Sequence, residues 1–357
     1  MIFLRTALGA LSFAVAVSLG VACGAAASGN PALDKLVKEA AVEGTLNVVW
    51  AEEFDAPNGI RKFQDALNRR YGLHVAINFT PGASMPQVGS RILLEEQAGR
   101  KSSTDLYLGA ETNLPPLMLA HALRVVPWSD YFPYITPEMH TKDGTAVLVS
   151  TFYNGITYNA EEVRPKDVPK TVAQIFKPQW KGKIATTPYA VGFDRLALWE
   201  GVDKVRPIVA KTAEWSGGLL RCGDYDKIAS GEFIALFFDC GLTSSLLMES
   251  HGGPLNQVML DDAPVTTLWY FAVPKNSEHP ALATLLAGYL LSGEGQKLVE
   301  STGTPGSQYV KGTGAYKQAQ AVEARGIKLD DTGPDDLIPH QKELVEIRKE
   351  FQRMVRK

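Results

Sequence analysis

The chain has 357 residues, of which 45% are hydrophobic and 21% charged, and a formal net charge of -3. This is a globular composition, not a disordered or fibrous one, and it is long enough for two domains with separate cores. The near-neutral balance, with no basic stripe and no run of like charge, excludes nucleic acid as the expected partner.

At the N-terminus, Arg5 is followed by Thr6 to Ala27 without a charge, and the stretch closes on the small residues CGAAAS. The pattern predicts a secretory signal over residues 1–27, cleaved after an A-x-A site at Ala25 to Ala27, and so an exported, periplasmic protein. Leu19-Gly20-Val21-Ala22-Cys23 has the outline of a lipoprotein box, but Gly20 stands where an aliphatic residue is usual; soluble export is preferred over lipid anchoring at Cys23. The strongly apolar part, Leu11 to Val21, is short for a membrane span, and no later segment reaches that length. Without the signal, Cys222 and Cys240 remain as two thiols in an oxidising compartment. They form a candidate disulfide, the alternative being two separately buried free cysteines.

Asn30-Pro31 opens and Gly44 closes a helix over 31–43, with Leu33, Leu36, Val37, Ala40 and Ala41 at helical spacing. Thr45 to Trp50 reads as a strand, and Ile60, Phe63 and Leu67 mark a helix ending near Gly72. Val75, Ile77 and Phe79 alternate as a strand, Val88, Ile92 and Leu93 give a helical face up to Gly99, and Asp105 to Leu108 is extended again. Such alternation predicts a mostly parallel sheet flanked by helices, because parallel neighbours need crossover connections.

Tyr153 to Tyr189 reads as a strand, a short helix, a basic tight loop and a second strand, the start of a second domain. A strand at Lys183 to Thr186, helices across Phe193 to Lys211, a strand near Leu219 to Cys222, a short helix Tyr225 to Ser230 and a strand Phe233 to Phe238 follow. The extended run Val265 to Val273 and the helical stretch Pro280 to Val299 predict a return to the first domain. The expected division is residues 28–152 with 266–357 in one lobe and 153–265 in the other, with hinge strands near Thr151 to Tyr158 and Pro264 to Phe271. Past the breakers Gly303, Pro305 and Gly306, helices are expected at about 314–324 and 335–355, the last packing through Leu337, Leu344, Ile347 and Phe351.

In an α/β fold of this kind ligands sit beyond the carboxyl ends of the strands. That rule nominates the loops Ala51-Glu52-Glu53-Phe54, Gly109-Ala110-Glu111-Thr112, Thr187-Pro188-Tyr189-Ala190 and Asp239-Cys240-Gly241-Leu242-Thr243. The helix starts after Thr187 and at Thr243-Ser244 suit an anion, whereas Glu52, Glu53, Glu111 and Asp239 suit an ammonium group or a metal ion, so the charge of the ligand stays open. Ordinary capping and solvated surface charge account equally well for any one of these residues. The candidate ligand-binding set is Glu52, Glu53, Glu111 and Thr112 with Thr187, Pro188, Tyr189 and Asp239, plus Tyr270 at the second crossing. There is no G-x-S-x-G, Walker loop, H-E-x-x-H or C-x-x-C, and the six histidines lack metal-ligand spacing, so no enzyme activity and no cofactor is assigned.

Tyr153-Asn154 and Tyr158-Asn159 are followed by Pro169-Lys170-Thr171 and Pro178-Gln179-Trp180-Lys181-Gly182-Lys183-Ile184. Further on come Ala229-Ser230-Gly231-Glu232-Phe233, Glu278-His279-Pro280-Ala281-Leu282-Ala283 and Leu291-Ser292-Gly293-Glu294-Gly295-Gln296. In this order the motifs resemble the periplasmic solute-binding proteins of ABC importers, extracellular solute-binding family 1, whose members include ferric-ion-binding proteins. The resemblance implies a type II fold of two α/β lobes joined by two hinge strands. It also implies a monomer that closes on a small solute or ion and presents it to a permease in the inner membrane. One departure bears on the solute. Ferric-binding members carry adjacent tyrosines after the strand that follows Gly-Glu, and here the sequence is Phe237-Phe238-Asp239-Cys240, leaving Glu52, Glu111 or Asp239 as the oxygen donors for a metal. Iron, a thiamine-like or polyamine cation, and an organic anion such as a phosphonate all fit. An exported enzyme acting in the same cleft, or a binding subunit for a sensor kinase, are the rival readings.

Overall fold

Local signals set the first elements. Asn30 Oδ1 accepts from the N–H groups of Ala32 (3.0 Å) and Leu33 (3.2 Å), Pro31 takes the first helical position, and Gly44 at φ 70° ends the helix Pro31–Glu43. Strand β1 (Thr45–Trp50) then pairs in parallel with β2 (Ala76–Pro81) across the helix Gly59–Tyr71. The helix Met85–Gln97 leads to β3 (Tyr107–Ala110). That strand starts two residues later than expected from Asp105, whose carboxylate accepts from Ser277 Oγ (2.9 Å) and the Glu278 N–H (3.2 Å) at the start of the helix Pro280–Leu290.

The computed structural model describes residues 29–50, 54, 58–82, 84–190, 192–221, 224–239 and 252–356. The signal segment with Cys23, the pair Glu52 and Glu53, the cysteines Cys222 and Cys240, and Thr243-Ser244 lie outside the described residues. The remaining strands are β4 (Ala146–Tyr153), β5 (Gly155–Asn159), β6 (Ile184–Thr186), β7 (Ser216–Leu219), β8 (Ala235–Asp239), β9 (Leu255–Val258) and β10 (Thr266–Ala272). They form a three-stranded sheet in the order β3-β10-β4 and a five-stranded sheet in the order β7-β6-β8-β5-β9. The pairs β1/β2, β6/β7 and β6/β8 are parallel, whereas β10/β3, β10/β4, β5/β8 and β5/β9 are antiparallel. The β1/β2 sheet is thus parallel, the three-stranded sheet antiparallel in its pairing and the five-stranded sheet mixed, so the sheets are not mostly parallel. Strands fed by crossover helices run one way, and the chain that passes directly between the sheets enters each of them in the opposite sense.

Two large core clusters result. Trp50, Phe54, Phe63, Trp128, Phe132 and Tyr289 belong to the first, and Trp180, Phe193, Phe237, Phe238 and Leu260 to the second. Each such side chain, fully buried, contributes about 1.5–3 kcal/mol. The stretch expected to be helical to Val299 consists of two helices, Pro280–Leu290 and Gly293–Glu300, the second capped by Ser292 Oγ accepting from Gly295 N (3.0 Å). A further correction concerns the C-terminal helix Gln341–Val355, assigned from sequence to the first lobe. Its Ile347, Phe351 and Val355 join the second cluster, against the helices Phe193–Glu200 and Val202–Trp215. Ion pairs from Arg348 to Asp194 (2.6 Å) and from Arg206 to Glu350 (2.6 Å) hold it there.

The chain leaves the first sheet at Asn154 and returns beside it. The Asn154 N–H donates to Val265 O (2.9 Å), Asn154 Nδ2 donates to Asp239 O (2.9 Å), and Asn154 Oδ1 accepts from Thr267 Oγ1 (3.0 Å). One residue thus ties the outgoing segment, the end of β8 and the start of β10. The next position requires glycine, because a Cβ on Gly155 would lie 2.2 Å from Val258 O and 2.9 Å from Met259 Cα, both backbone atoms. Gly155→Ala is expected to cost about 1–3 kcal/mol through overpacking. A denaturant midpoint equal to that of the parent would contradict this close approach. Among the described residues no helix is long and apolar enough to cross a membrane.

Candidate functional site

The strand ends around Asn154 supply the site. Alternation along β10 leaves Thr267 and Trp269 half-buried on one face and buries Leu268 and Tyr270 on the other. The Trp269 ring stacks on Phe54 with centroids 6.1 Å apart and lies 4.3 Å from Phe152. Thr267, two residues before it on the same face, is half-buried and donates to the fully buried Asn154 amide, so an aromatic ring and a hydroxyl share this face.

Opposite, the second sheet ends in strained backbone. Phe238 at φ 50° and Ala190 at φ 53° hold left-handed conformations that non-glycine residues rarely adopt. Gly192, at φ 78°, opens the helix Phe193–Glu200 and leaves no room for a side chain, since its Cβ would sit 2.8 Å from the Phe238 ring. Strain of this kind concentrates at ligand clamps.

A buried chain of charge joins the two sides. Glu111, 3% exposed, continues the β3 ladder: its N–H donates to Leu268 O (2.8 Å) and its Oε2 accepts from the Leu268 N–H (2.8 Å). Its Oε1 lies 3.1 Å from Arg195 Nη1 in the first turn of the helix Phe193–Glu200. Burial raises the Glu111 carboxyl above its ordinary pKa, with Arg195 opposing. Burial also works against the Arg195 charge, but Glu111, Asp330 and Asp194 outweigh it and hold the guanidinium above the usual arginine range.

Several nominated residues lie elsewhere than expected. Asp239 turns its carboxylate toward the smaller apolar cluster of Tyr225, Ile228, Leu236 and Leu255, where Oδ2 accepts from Thr157 Oγ1 and from Tyr225 Oη (2.7 Å), so only its carbonyl reaches Asn154. Burial and the Asp239 charge push the Tyr225 hydroxyl well above its ordinary pKa. Tyr270 is buried with its hydroxyl toward Gly333, on the face opposite Trp269; the half-exposed ring at this crossing is Trp269. Thr187 is buried, and the half-buried Pro188 and Tyr189 have their carbonyls held by Arg356 Nε (3.0 Å) and Gln352 Nε2 (3.2 Å) of the C-terminal segment. Thr112 is half-buried beside Glu111. Glu111 and Tyr270 are thus gathered near Arg195, whereas Asp239 faces away.

Sequence reasoning missed Arg195, Asp194 and Arg348, and did not assign Asn154 a role. A signal was present at Asp194-Arg195, two charges between the buried Phe193 and Leu196 on one short helix. Among the described residues no group of three or more His, Cys, Asp or Glu is arranged to hold a metal ion. A wide apolar groove of about 1150 Å³ lies between the helix Pro31–Glu43 and the start of the helix Pro280–Leu290, but no residue lining it belongs to the crossing or to the second sheet.

A family model described as bacterial extracellular solute-binding protein matches residues 61–323. The chain belongs to this family. It is accordingly a solute-binding protein of the ABC-importer class, and members of the family are exported. Iron-bound HitA from Pseudomonas aeruginosa aligns with a TM-score of 0.69 at 18% identity, over 86% of this chain and 99% of that one. FutA (IdiA) from Trichodesmium, in complex with iron and citrate, aligns with a TM-score of 0.63 at 16% identity, over 86% and 99%. AfuA from Actinobacillus pleuropneumoniae, with exogenous fructose-6-phosphate bound, aligns with a TM-score of 0.62 at 18% identity, again over 86% and 99%. These likenesses show the fold, that of the type II periplasmic binding proteins. No curated protein sequence is significantly similar.

Proposed function

We propose that this protein is a monomeric periplasmic receptor that closes on a small solute between its two lobes and hands it, unaltered, to an inner-membrane ABC permease. The observation that carries the reading is the double crossing at Asn154, where one side chain bonds the end of β8 and the start of β10. Movement about this point would bring the Trp269 face toward the strained ends at Ala190 and Phe238. Closure reports occupancy only when the solute binds the closed state better than the open one. The proposed lobes are residues 28–152 with the chain from 266 onward, and residues 153–265, the C-terminal helix riding on the latter.

The relatives include proteins seen with iron and one seen with a sugar phosphate. In this chain Phe237 and Phe238, with ring centroids 5.1 Å apart in the second core, offer no oxygen where ferric-binding proteins place tyrosines. We therefore read the solute as a small organic ion, with Trp269, backed by the buried Phe54, as its apolar wall and Thr267 as a polar contact. Ferric citrate added to the purified protein is expected to give no visible tyrosinate-to-iron absorption band; such a band would overturn the organic-ion reading. For closure, small-angle scattering is expected to show a smaller radius of gyration with the co-purifying molecule, identified by mass spectrometry and recovered intact. Superimposable profiles across a broad solute panel, or recovery of a chemically changed molecule, would count against a transport receptor.

A further inference from the structure

A second cavity, of about 340 Å³, opens between the helix Phe193–Glu200 and the segment 328–340. Its volume falls within the range of about 300–1,000 Å³ typical of small-molecule sites. Arg195 lines it with both terminal nitrogens buried and donating no hydrogen bond. The 3.1 Å approach of Nη1 to Glu111 makes an ion pair by distance without the alignment of a hydrogen bond. Asp330, 6% exposed, lines the same cavity, and its Oδ2 is buried and accepts nothing.

The Asp330 carboxylate is rigidly placed. The backbone of Asp330 bonds Pro264 O (2.8 Å) and the Thr266 N–H (3.0 Å), and its Oδ1 accepts from Thr332 N (3.2 Å) and the Thr332 hydroxyl. Other acids on the wall are already engaged: Asp331 accepts from Tyr309 Oη (3.1 Å) and Asp336 lies 3.8 Å from Lys142 Nζ.

Buried polar atoms normally have partners, and those left unmet are expensive. Here a donor without an acceptor and an acceptor without a donor line one enclosure. Among the buried groups of the wall, an anion would meet only Arg195, whose charge Glu111 already opposes, and a cation only Asp330, so either alone leaves the other group without a hydrogen-bond partner. A zwitterion meets both. We infer that this cavity binds a small zwitterion of the α-amino-acid class, its carboxylate on Arg195 and its ammonium on Asp330. The site is separate from the Trp269 face on which the transported solute is proposed to sit.

Trp199, on the cavity wall and 46% exposed, provides the readout. The protein is titrated with each of the twenty protein amino acids singly, and with acetate and methylamine as single-charge controls, by tryptophan fluorescence and calorimetry. At least one amino acid is expected to give a saturable fluorescence change and heat that neither control gives at the same concentration. Asp330→Asn, which keeps the backbone pairing, is expected to weaken binding at least tenfold, and Arg195→Lys, which keeps the charge but loses the forked donors, to weaken it comparably. Should Arg195→Lys fail to fold, Asp330→Asn carries the test. Trp199→Phe is expected to abolish the optical change and retain the heat. No saturable response to any amino acid, an equal response to acetate or to methylamine, or binding unchanged in Asp330→Asn would each overturn the inference. Of these, amino-acid binding unchanged in Asp330→Asn, with a fluorescence change that persists in Trp199→Phe, would place the ligand on the Trp269 face, leaving the receptor reading intact.

Discussion

Arg195→Met is expected to destabilise the protein by about 3–5 kcal/mol, the loss typical of removing one partner from a buried ion pair. Arg195 and Glu111 are each 3% exposed, and Asp194 and Asp330 also act on the guanidinium, so the variant strands carboxylates where water cannot solvate them. The urea midpoint measures the loss. Replacing both partners, Arg195→Met with Glu111→Gln, is expected to lose less than the sum of the single changes, because the amide keeps an acceptor for the Leu268 N–H without leaving a charge. The pH dependence has a definite sign. Burial already lifts the Glu111 carboxyl above its ordinary value of 4.5, and loss of Arg195 lifts it further. A group whose folded-state pKa is raised favours the folded state at low pH and loses that contribution as pH rises through the folded value. The deficit of Arg195→Met is therefore smallest below the ordinary glutamate value and grows as pH rises. A loss under about 1 kcal/mol at neutral pH, the range of exposed pairs, would show that the pair is not buried in solution.

Trp50→Ala is expected to cost about 3–5 kcal/mol, as for other large buried aromatic side chains. Trp50 is 2% exposed, and its ring centroid lies 5.2 Å from that of Phe271 and 5.6 Å from that of Phe54. Its Nε1–H donates to Leu106 O (2.7 Å), tying β1 to the segment that enters β3 where no strand ladder does so. Removal opens a cavity and loosens that tie. It also withdraws support from Phe54, which stacks on Trp269, so solute affinity is expected to fall together with the thermal midpoint. Trp50→Phe, which fills most of the volume but cannot donate, is expected to lie between the parent and the alanine variant. An alanine variant with full stability and unchanged affinity would disconnect Trp50 from the site.

Much of the chain was readable without coordinates wherever the determining interactions are local. Asn30, Pro31 and Gly44 bound the first helix because a cap, a fixed φ and a left-handed C-terminal residue act within a few positions, and the run Thr45 to Trp50 forms β1 at the expected residues. The ordered motifs from Tyr153 to Gln296 pointed to the solute-binding family that the match over residues 61–323 establishes. Period, cap and motif order are properties of the sequence alone.

Other features depend on which segments meet. The direction of β5 and β10 against their neighbours follows from a chain that crosses between sheets twice, and propensity does not encode it. The presentation of Trp269, not Tyr270, follows from the separate cluster of Tyr107, Leu117 and Leu148 that covers the Leu268 and Tyr270 face of β10; a shift of one residue exchanges the two. Asp239 looked like a loop-tip carboxylate until Thr157 and Tyr225 met it inside the sheet's smaller apolar cluster. The C-terminal helix carried a correct apolar stripe, but only packing decided which lobe received it. Glu111 and Arg195 lie far apart in the chain and 3.1 Å apart in space. Local sequence thus determined elements and family, whereas strand sense, sheet face and the buried charge pair were decided by tertiary structure, because long-range packing and desolvation act only between residues that the fold has already brought together.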